Sequence, residues 1–557
     1  MQNLRLMALG GLDENGKNMY LIEIDKDIFV VEAGISYPSE SEQLGIEYII
    51  PDFSYLIENK DRVKAIFVSH AHDDVMKAIS HLIKEIDLPI YCTALTAKAI
   101  DDEFTSHNIK KHINIIKRKD TINVDGHIIH SFPQSQSIPD GVGFSFETDM
   151  GQVVYTSDFI IDCDYKNQMF STNIDTLTEI GKKGVFILLS ESSGSSRSGF
   201  TSPKHRISDI LEHHFETIDG RCIITLYKQN IYRILEILET AKAFNKKVFF
   251  YDKEHVKLLK HLEDLGYYKI PKGVLCNINE FNNSLDDVVL VVSGQGSNVF
   301  RIMSTIAMGD DRVVELNKND TVIIASPVVP GCEKDASTME DNLYKADVRI
   351  IKLNAKEVLS VHASIEDIKM MISFIKPKYY MPVAGEYAAL VNNADIATDM
   401  GYTPDRIVIL DNGQFAQFEN GRLVSTRDLI ELNDTPIDMS NSSNVSSMVL
   451  KDRESLSTDG VIVVGVVIDH ETKQIIGGPD VQSRGVIYLK DADHILNEIG
   501  NIIIETINGL VKENRFENMQ ARLEAKEAMS RYVLKETGKK PMILPAIVEI
   551  KLGDNNG

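Results

Sequence analysis

The chain has no tryptophan in 557 residues. Any stacking on an unpaired base would fall to tyrosine, phenylalanine, histidine or arginine. Cysteine is scarce as well: Cys92, Cys163, Cys222, Cys276 and Cys332 are scattered and form no Cys-x-x-Cys pair. That pattern suits buried thiols in a reducing compartment rather than a disulfide framework. No apolar run reaches the roughly 20 residues that a bilayer requires. The first twenty residues hold no basic stretch followed by an apolar core. These absences predict a cytoplasmic protein with no membrane span and no secretory signal. Basic charge is also in deficit: Lys and Arg number 59 against 82 Asp and Glu, a net charge of −23. Such a surface does not bind a polyanion over its whole extent, so contact with one must be local to a groove or supplied by a partner.

What remains is an ordinary globular mix, 43% hydrophobic and 25% charged, long enough for roughly three or four domains. One stretch stands out, Val68-Ser69-His70-Ala71-His72-Asp73-Asp74-Val75. The apolar run from Val63 to Val68 reads as a buried strand leading into it. Residues i and i+2 on extended backbone point the same way. Two imidazoles and a carboxylate are then offered together at the end of a rigid element, an arrangement that holds a borderline divalent ion. The alternative reading is a loop with two surface histidines.

Elsewhere, short strands alternate with helical stretches. Glu32-Ala33-Gly34, Val153 to Asp158 and Ile187 to Ser192 each end an apolar strand on or beside an acid. Carboxylates at strand C-termini of α/β folds commonly face the site crevice. Met76 to Ile83 and Ala94 to Ser106 read as helices. Lys110, Lys111, Lys117, Arg118 and Lys119 cluster as a solvated face or as a rim facing a polyanion. The segments Cys222–Leu226, Ile231–Phe244 and Val248–Tyr251 form a βαβ unit, with Ile231, Ile234, Leu235, Leu238 and Ala241 at the helical period. The strand Val288–Val292 ends in Ser293-Gly294-Gln295-Gly296. Such a turn, opening a helix, can present N–H groups to an anion, or can simply turn. Ile407–Leu410 and Asn412-Gly413 suggest a hairpin, and Asn433–Ser447 a linker. The last hundred residues restart as a small α/β domain with strands at Gly460–Ile468, Ile475–Gly478, Gly485–Leu489 and Ile543–Ile550. Two helical patterns, Asp493–Val511 and Phe516–Lys535, lie between them. No catalytic cluster is visible there, so assembly is its expected role.

Together these stretches resemble bacterial ribonuclease J, of the β-CASP branch of the metallo-β-lactamase superfamily. The resemblance is greatest to the divergent second paralogue of Firmicutes. The carriers are the histidine loop, Gly16-Lys17-Asn18, Ile50-Pro51-Asp52, Ser137-Ile138-Pro139-Asp140, Gly199-Phe200-Thr201, Gln295-Gly296, Gly385-Glu386-Tyr387 and Pro541-Met542-Ile543-Leu544-Pro545. The resemblance implies an α/β fold: a metallo-β-lactamase αββα sandwich from residues 1–200 and 351–432, and an inserted β-CASP α/β domain over 201–350. A linker at 433–455 and a C-terminal α/β assembly domain at 456–557 would complete it.

The family's chemistry implies two divalent ions activating water for attack on an RNA phosphodiester. Residue by residue, His70 and His72 match ligands of the first ion, and Gln136 stands where its third histidine belongs. Asp158 matches the bridging aspartate, preceded by Ser157 in place of glycine. Asp74 matches a ligand of the second ion and a participant in water activation. Val75 and Ala384 replace the two histidines that would complete that site. His362 matches the histidine at the scissile phosphate, Glu191 an acidic catalytic position, and Glu32 a position usually held by aspartate. Ser293, Gly294, Gln295, Gly296, Ser360, Val361 and His362 match the RNA and phosphate cradle, with Val361 where glycine is usual. Ligand counting predicts at most one ion per chain, Mn²⁺ or Zn²⁺, with Mg²⁺ as a further candidate.

The expectation is therefore a weak, metal-dependent ribonuclease of rRNA processing and mRNA decay, endonucleolytic more than 5′→3′ exonucleolytic. Asp74, His362 and Glu191 would carry its catalysis. The alternative is a non-catalytic subunit that stabilises and modulates an active ribonuclease J paralogue, and the same donors could make a purely structural metal site. A third reading, a small-molecule hydrolase of the same fold, is disfavoured by the inserted domain and the RNA-family motifs. The implied partners are RNA, a paralogue in a hetero-oligomer, or a second copy paired through the C-terminal domain.

Overall fold

Alternation along single strands sets the layering. In Gly151–Tyr155, Val153 and Tyr155 enter one apolar core and Val154 another. In Val185–Glu191, Ile187 and Leu189 part from Leu188 in the same way. Successive side chains point to opposite faces, so each strand feeds two layers. The computed structural model describes residues 2–38, 45–163, 168–218, 220–329, 331–354, 358–438, 447–486 and 492–551. It divides into two compact units, one of residues 1–39 and 48–435, the other of 40–47 and 436–557.

In the larger unit, one sheet runs Arg422–Ser425, Phe415–Glu419, Asn3–Gly10, Met19–Ile24, Asp27–Val31, Val63–Val68, Ile90–Cys92, Asn114–Ile115. A second runs Tyr379–Val383, Val185–Glu191, Gly151–Tyr155, Val142–Thr148, His127–Pro133, Asp120–Val124. Leu4, Tyr20, Phe29 and Phe67 of the first share a core with Phe144, Phe146, Ile187 and Met381 of the second. The second sheet's outer face is covered by the helices Ile174–Lys182, Ile365–Ile375 and Tyr387–Asp399. A third sheet, inserted between the second sheet's strands Val185–Glu191 and Tyr379–Val383, is wholly parallel. Its order is Leu275–Cys276, Lys247–Phe250, Val288–Gly294, Cys222–Tyr227, Thr321–Ile324, Arg349–Lys352. Helices on both faces give it two cores, as a parallel sheet requires.

Two local expectations change. The helix expected over Met76–Ile83 breaks into Asp73–Met76 and Ile79–Glu85, because Ala78 N–H donates to the Ala33 carbonyl. The hairpin turn falls at Asn420–Gly421, both at positive φ, between Phe415–Glu419 and Arg422–Ser425. That is the two-residue turn that matches strand twist. Asn412 is instead committed to Leu12 and Glu14. The basic cluster is a mostly solvated face: Lys110, Lys117 and Lys119 are exposed, Lys111 pairs with Asp87 and Lys119 with Glu179 at the surface, and Arg118 donates to the Gln134 and Gln168 carbonyls.

The smaller unit has a three-stranded sheet ordered Ile475–Arg484, Val461–Asp469, Met542–Ile550. The helices Ala492–Lys512 and Asn518–Thr537 pack on one face, burying Ile462, Val464, Ile503, Met529 and Ile547. Val463, Leu544 and Val548, at the opposite parity, are exposed. Of the expected strand Gly485–Leu489, residues 487–489 lie outside the described residues, as does 439–446 of the linker stretch. Among the described residues, no helix is long and apolar enough to cross a membrane.

Candidate active site

The sandwich delivers its polar residues at strand C-termini. Val63–Val68 ends at Ser69-His70, and His72 is the extended residue before the helix Asp73–Met76. Gly151–Tyr155 leads to Ser157-Asp158, Val185–Glu191 ends on Glu191, and Tyr379–Val383 leads to Ala384. Glu32, Asp140, Ser157 and Ala384 all adopt positive φ, between 54° and 67°. That conformation costs a non-glycine residue about 1–2 kcal/mol. Part of the cost at Ser157 is offset by its hydroxyl, which meets Ser69 Oγ at 2.8 Å and His70 Nδ1 at 3.1 Å.

His70, His72 and Asp158 converge. One ligand atom from each lies within 4.8 Å of the others. His70 Nε2 is 2.9 Å from His72 Nδ1 and 3.7 Å from Asp158 Oδ2. The outward nitrogens are both held: His70 Nδ1 by Ser69 Oγ at 2.7 Å, and His72 Nε2 by the Gln229 carbonyl at 3.2 Å and Ser137 Oγ at 3.1 Å. A carbonyl only accepts, so His72 carries its proton on Nε2 and bares Nδ1. Serine hydroxyls donate or accept, so His70 admits either tautomer. With the proton on Nε2, the two rings bond to each other. With the proton on Nδ1, two lone pairs face one point, which is how outer partners prepare histidines for a metal.

Gln136 is fully buried, and neither atom of its carboxamide has a protein partner. Two oriented imidazoles and Asp158 fit one divalent ion, and the orphaned Gln136 amide lies in the chain next to Ser137, which holds His72. Burial lowers His70 well below the usual histidine range, keeping it neutral as a ligand must be. Burial also pushes Asp158 well up, with Glu191 and Asp74 adding to the rise and His362 opposing it. Glu32, buried behind Ser69, is pushed up to about 8 by burial. A cation beside these acids would reverse that electrostatic cost.

The other half of the cleft differs. Asp158 also converges with Glu191 and His362 in a second cluster of ligand type, and Asp74 belongs to neither cluster among the described residues. Its carboxylate accepts Asn18 Nδ2–H at 3.2 Å. Asn18 Oδ1 accepts the Tyr20 hydroxyl at 2.8 Å, and Tyr20 Oη accepts Ala384 N–H at 3.1 Å. Val75 is buried and brings no donor. These residues do not fit a second ion.

His362 is the third component. Glu191 Oε1 accepts the backbone N–H groups of Phe159 and Ala363 at 2.8 and 2.9 Å, and Glu191 Oε2 meets His362 Nδ1 at 2.8 Å. Burial disfavours the charged ring, but Glu191 and Asp158 outweigh it and hold His362 at about 9. His362 is thus a cation at neutral pH, with Nε2–H outside the carboxylate pair. The glycine-rich turn reaches the same region. Gln295 meets the Tyr37 hydroxyl, which donates to Asp73 Oδ2 at 2.6 Å. Within the turn, Ser293 Oγ is 3.2 Å from His255 Nδ1. Gly294 is obligatory, since a Cβ there would stand 2.5 Å from Val299 N.

Several residues that shape the site escaped the reading of motifs. Tyr20 and Asn393 belong to no motif. Asn393 Nδ2 donates to the Glu191 carbonyl at 2.8 Å. Asp367 carried no signal beyond a helix start, yet it accepts Ile161, Thr201 and Ser364 N–H, tying three loops together. Thr201 was visible only as part of Gly199-Phe200-Thr201.

A two-sheet sandwich with an inserted parallel domain and a histidine loop at its strand ends defines a β-CASP protein of the metallo-β-lactamase superfamily. Profiles described as beta-lactamase superfamily domain, ribonuclease J beta-CASP domain, Zn-dependent metallo-hydrolase RNA specificity domain and ribonuclease J C-terminal domain match residues 50–169, 219–343, 350–405 and 448–550. Ribonuclease J 2 of Staphylococcus aureus strain NCTC 8325 is 31% identical over 560 residues, covering 99% of each chain. Ribonuclease J 2 of Staphylococcus epidermidis strain RP62A is 30% identical, with the same coverage. A crystal structure of a protein of unknown function from Enterococcus faecalis V583 shares the fold at TM-score 0.51 and 14% identity, over 75% of this chain and 100% of that one. The chain belongs to the ribonuclease J family.

Proposed function

We propose that this protein hydrolyses RNA phosphodiesters in the cytoplasm with a single-ion site, slowly, and at internal positions more than processively from the 5′ end. The observation that supports this most is the contrast within the cleft: three converging donors at His70, His72 and Asp158, against buried Val75 and partly buried Ala384, neither of which offers a ligand. His70, His72 and Asp158, with Gln136 Oε1, would hold one Mn²⁺, Zn²⁺ or Mg²⁺ ion. Such an ion supplies Lewis acidity toward water and toward a phosphodiester oxygen.

The chain's own residues supply the rest. Glu191, anchored by two backbone N–H groups, orients His362 and stabilises its charge. His362 can then donate Nε2–H to a phosphate oxygen and stabilise negative charge as it develops. Asp74, fixed by Asn18, can accept a proton. Ser293–Gly296 and Ser360–His362 would flank the strand, residues 201–350 would form the wall opposite the sandwich, and residues 456–557 would serve assembly.

A second reading, a non-catalytic subunit of an active ribonuclease J paralogue, is favoured by one observation. The 2.9 Å contact lets His70 and His72 satisfy each other with no ion between them. Exposed Val463, Leu544 and Val548 then suit pairing with that paralogue or with a second copy. Metal counting on purified protein titrated with Mn²⁺ and Zn²⁺, beside cleavage of labelled RNA, tests the choice. One bound ion with slow internal cleavage supports the first reading. No ion and no cleavage, with tight binding to a paralogue, selects the second. Two fully bound ions with rapid 5′→3′ decay would overturn both.

A further inference from the structure

The loop carrying His362 is gripped by an arginine that no motif singled out. Arg197 Nη2 donates to the His362 carbonyl at 2.7 Å, and Nη1 donates to Ser360 Oγ at 2.7 Å and to the Ser360 carbonyl at 3.1 Å. Thr201 Oγ1 donates to the same His362 carbonyl at 2.6 Å. Gly194 makes the room: a Cβ there would stand 2.1 Å from Arg197 Nη2 and 2.2 Å from the Ala363 carbonyl. The next two N–H groups go elsewhere, Ala363 to Glu191 and Ser364 to Asp367.

We propose that Arg197 is a positioning residue that turns the Ser360–His362 loop into a receptor for an RNA phosphate. The proposal rests on the RNA-binding reading above. A hydroxyl has one proton and two lone pairs, whereas guanidinium N–H groups only donate. Arg197 therefore occupies a lone pair of Ser360 Oγ and leaves its proton for another acceptor. The peptide unit is planar and trans, so its N–H points opposite to its C=O. With the Ser360 carbonyl drawn to Arg197, the Val361 N–H faces away from it, and it donates to no acceptor among the described residues. An O–H and an N–H on adjacent residues are thereby left to donate beside His362. This also accounts for a valine at position 361: the contact is made by backbone, and the Val361 side chain is buried. Three bonds from one planar fork need arginine, since a lysine ammonium lacks that geometry.

The ligand chemistry is a phosphate oxygen, from a terminal monophosphate or an internal phosphodiester. Binding of one oligoribonucleotide, with a 5′ monophosphate or a 5′ hydroxyl, is measured in EDTA for the full chain and for Arg197→Ala and Arg197→Lys. Thermal unfolding of each variant is followed alongside. Arg197→Ala is expected to weaken binding about tenfold or more, as loss of charge-assisted hydrogen bonds does. The loss is larger for the 5′-monophosphate strand if the terminal group is the ligand, and equal for both strands if it is internal. Millimolar guanidinium restores affinity to Arg197→Ala, and Arg197→Lys, the milder change, keeps the fold and recovers only part of the affinity. Unchanged binding in both variants, or loss that guanidinium does not rescue and that merely follows unfolding, overturns the proposal. A wild-type chain that binds neither strand instead brings down the RNA reading itself, so the two failures are distinguishable.

Discussion

The two halves of the cleft are built on the same sheets yet have opposite character. On one side His70, His72 and Asp158 converge, with their outward atoms braced by Ser69, Ser157, Ser137 and the Gln229 carbonyl. On the other, Ala384, Tyr20, Asn18 and Asp74 form a hydrogen-bonded chain that leaves no converging donors. Backbone N–H, phenol and carboxamide satisfy one another there, as buried polar groups must. The comparison teaches that outer partners keep one set of donors converging, whereas in the other half the polar groups bond among themselves.

The most direct way to break the comparison is to remove the converging half. Asp158→Asn or His70→Ala should abolish ion binding and lower RNA cleavage about a hundredfold or more. Metal content by mass spectrometry and single-turnover cleavage check this, and full activity without the ion would end the one-ion reading. Rebuilding the closed half is the converse. Val75→His with Ala384→His should raise the ion count from one toward two and cleavage about tenfold or more. Because Val75 is buried, the ion-free double variant should lose about 1–3 kcal/mol of stability, recovered on adding metal and read by urea unfolding with and without Mn²⁺.

A smaller effect separates the chain of bonds from the ion. Tyr20→Phe strands the Ala384 N–H and the Asn18 carboxamide and should cost about 1–2 kcal/mol, with ion content unchanged. A change in ion content would show that the two halves are coupled. The smallest expected effect is in pH. His362 stands at about 9 in the folded chain, against about 6.5 when unfolded. Its protonated form therefore favours folding, fully below about pH 6.5, and the contribution is lost as pH rises through about 9. In EDTA the wild-type melting temperature should fall across that window more steeply than that of Glu191→Gln, and parallel profiles would refute the pairing.

Much of the layering was legible because strand periodicity is local: Val153, Val154 and Tyr155 declare two faces within three residues. The hairpin was misplaced because Asn412-Gly413 carries the right turn chemistry while the Asn412 side chain is bound to residues 12 and 14, which nothing local reveals. Arg197 and Asp367 were silent for a related reason. Arginine in a serine-rich stretch has no period, and its partners lie 163 and 165 residues away.

By itself, then, the chain's order of residues settled where apolar strands end beside acids and that two imidazoles leave one strand two residues apart. Only the folded sheets decided that His70 and His72 face Asp158, that Tyr20 reaches across 364 positions to Ala384, and that Arg197 turns the His362 loop. Side-chain identity and spacing act within a few residues, whereas hydrogen-bond partnership is set by sheet register and by strand ends meeting in three dimensions.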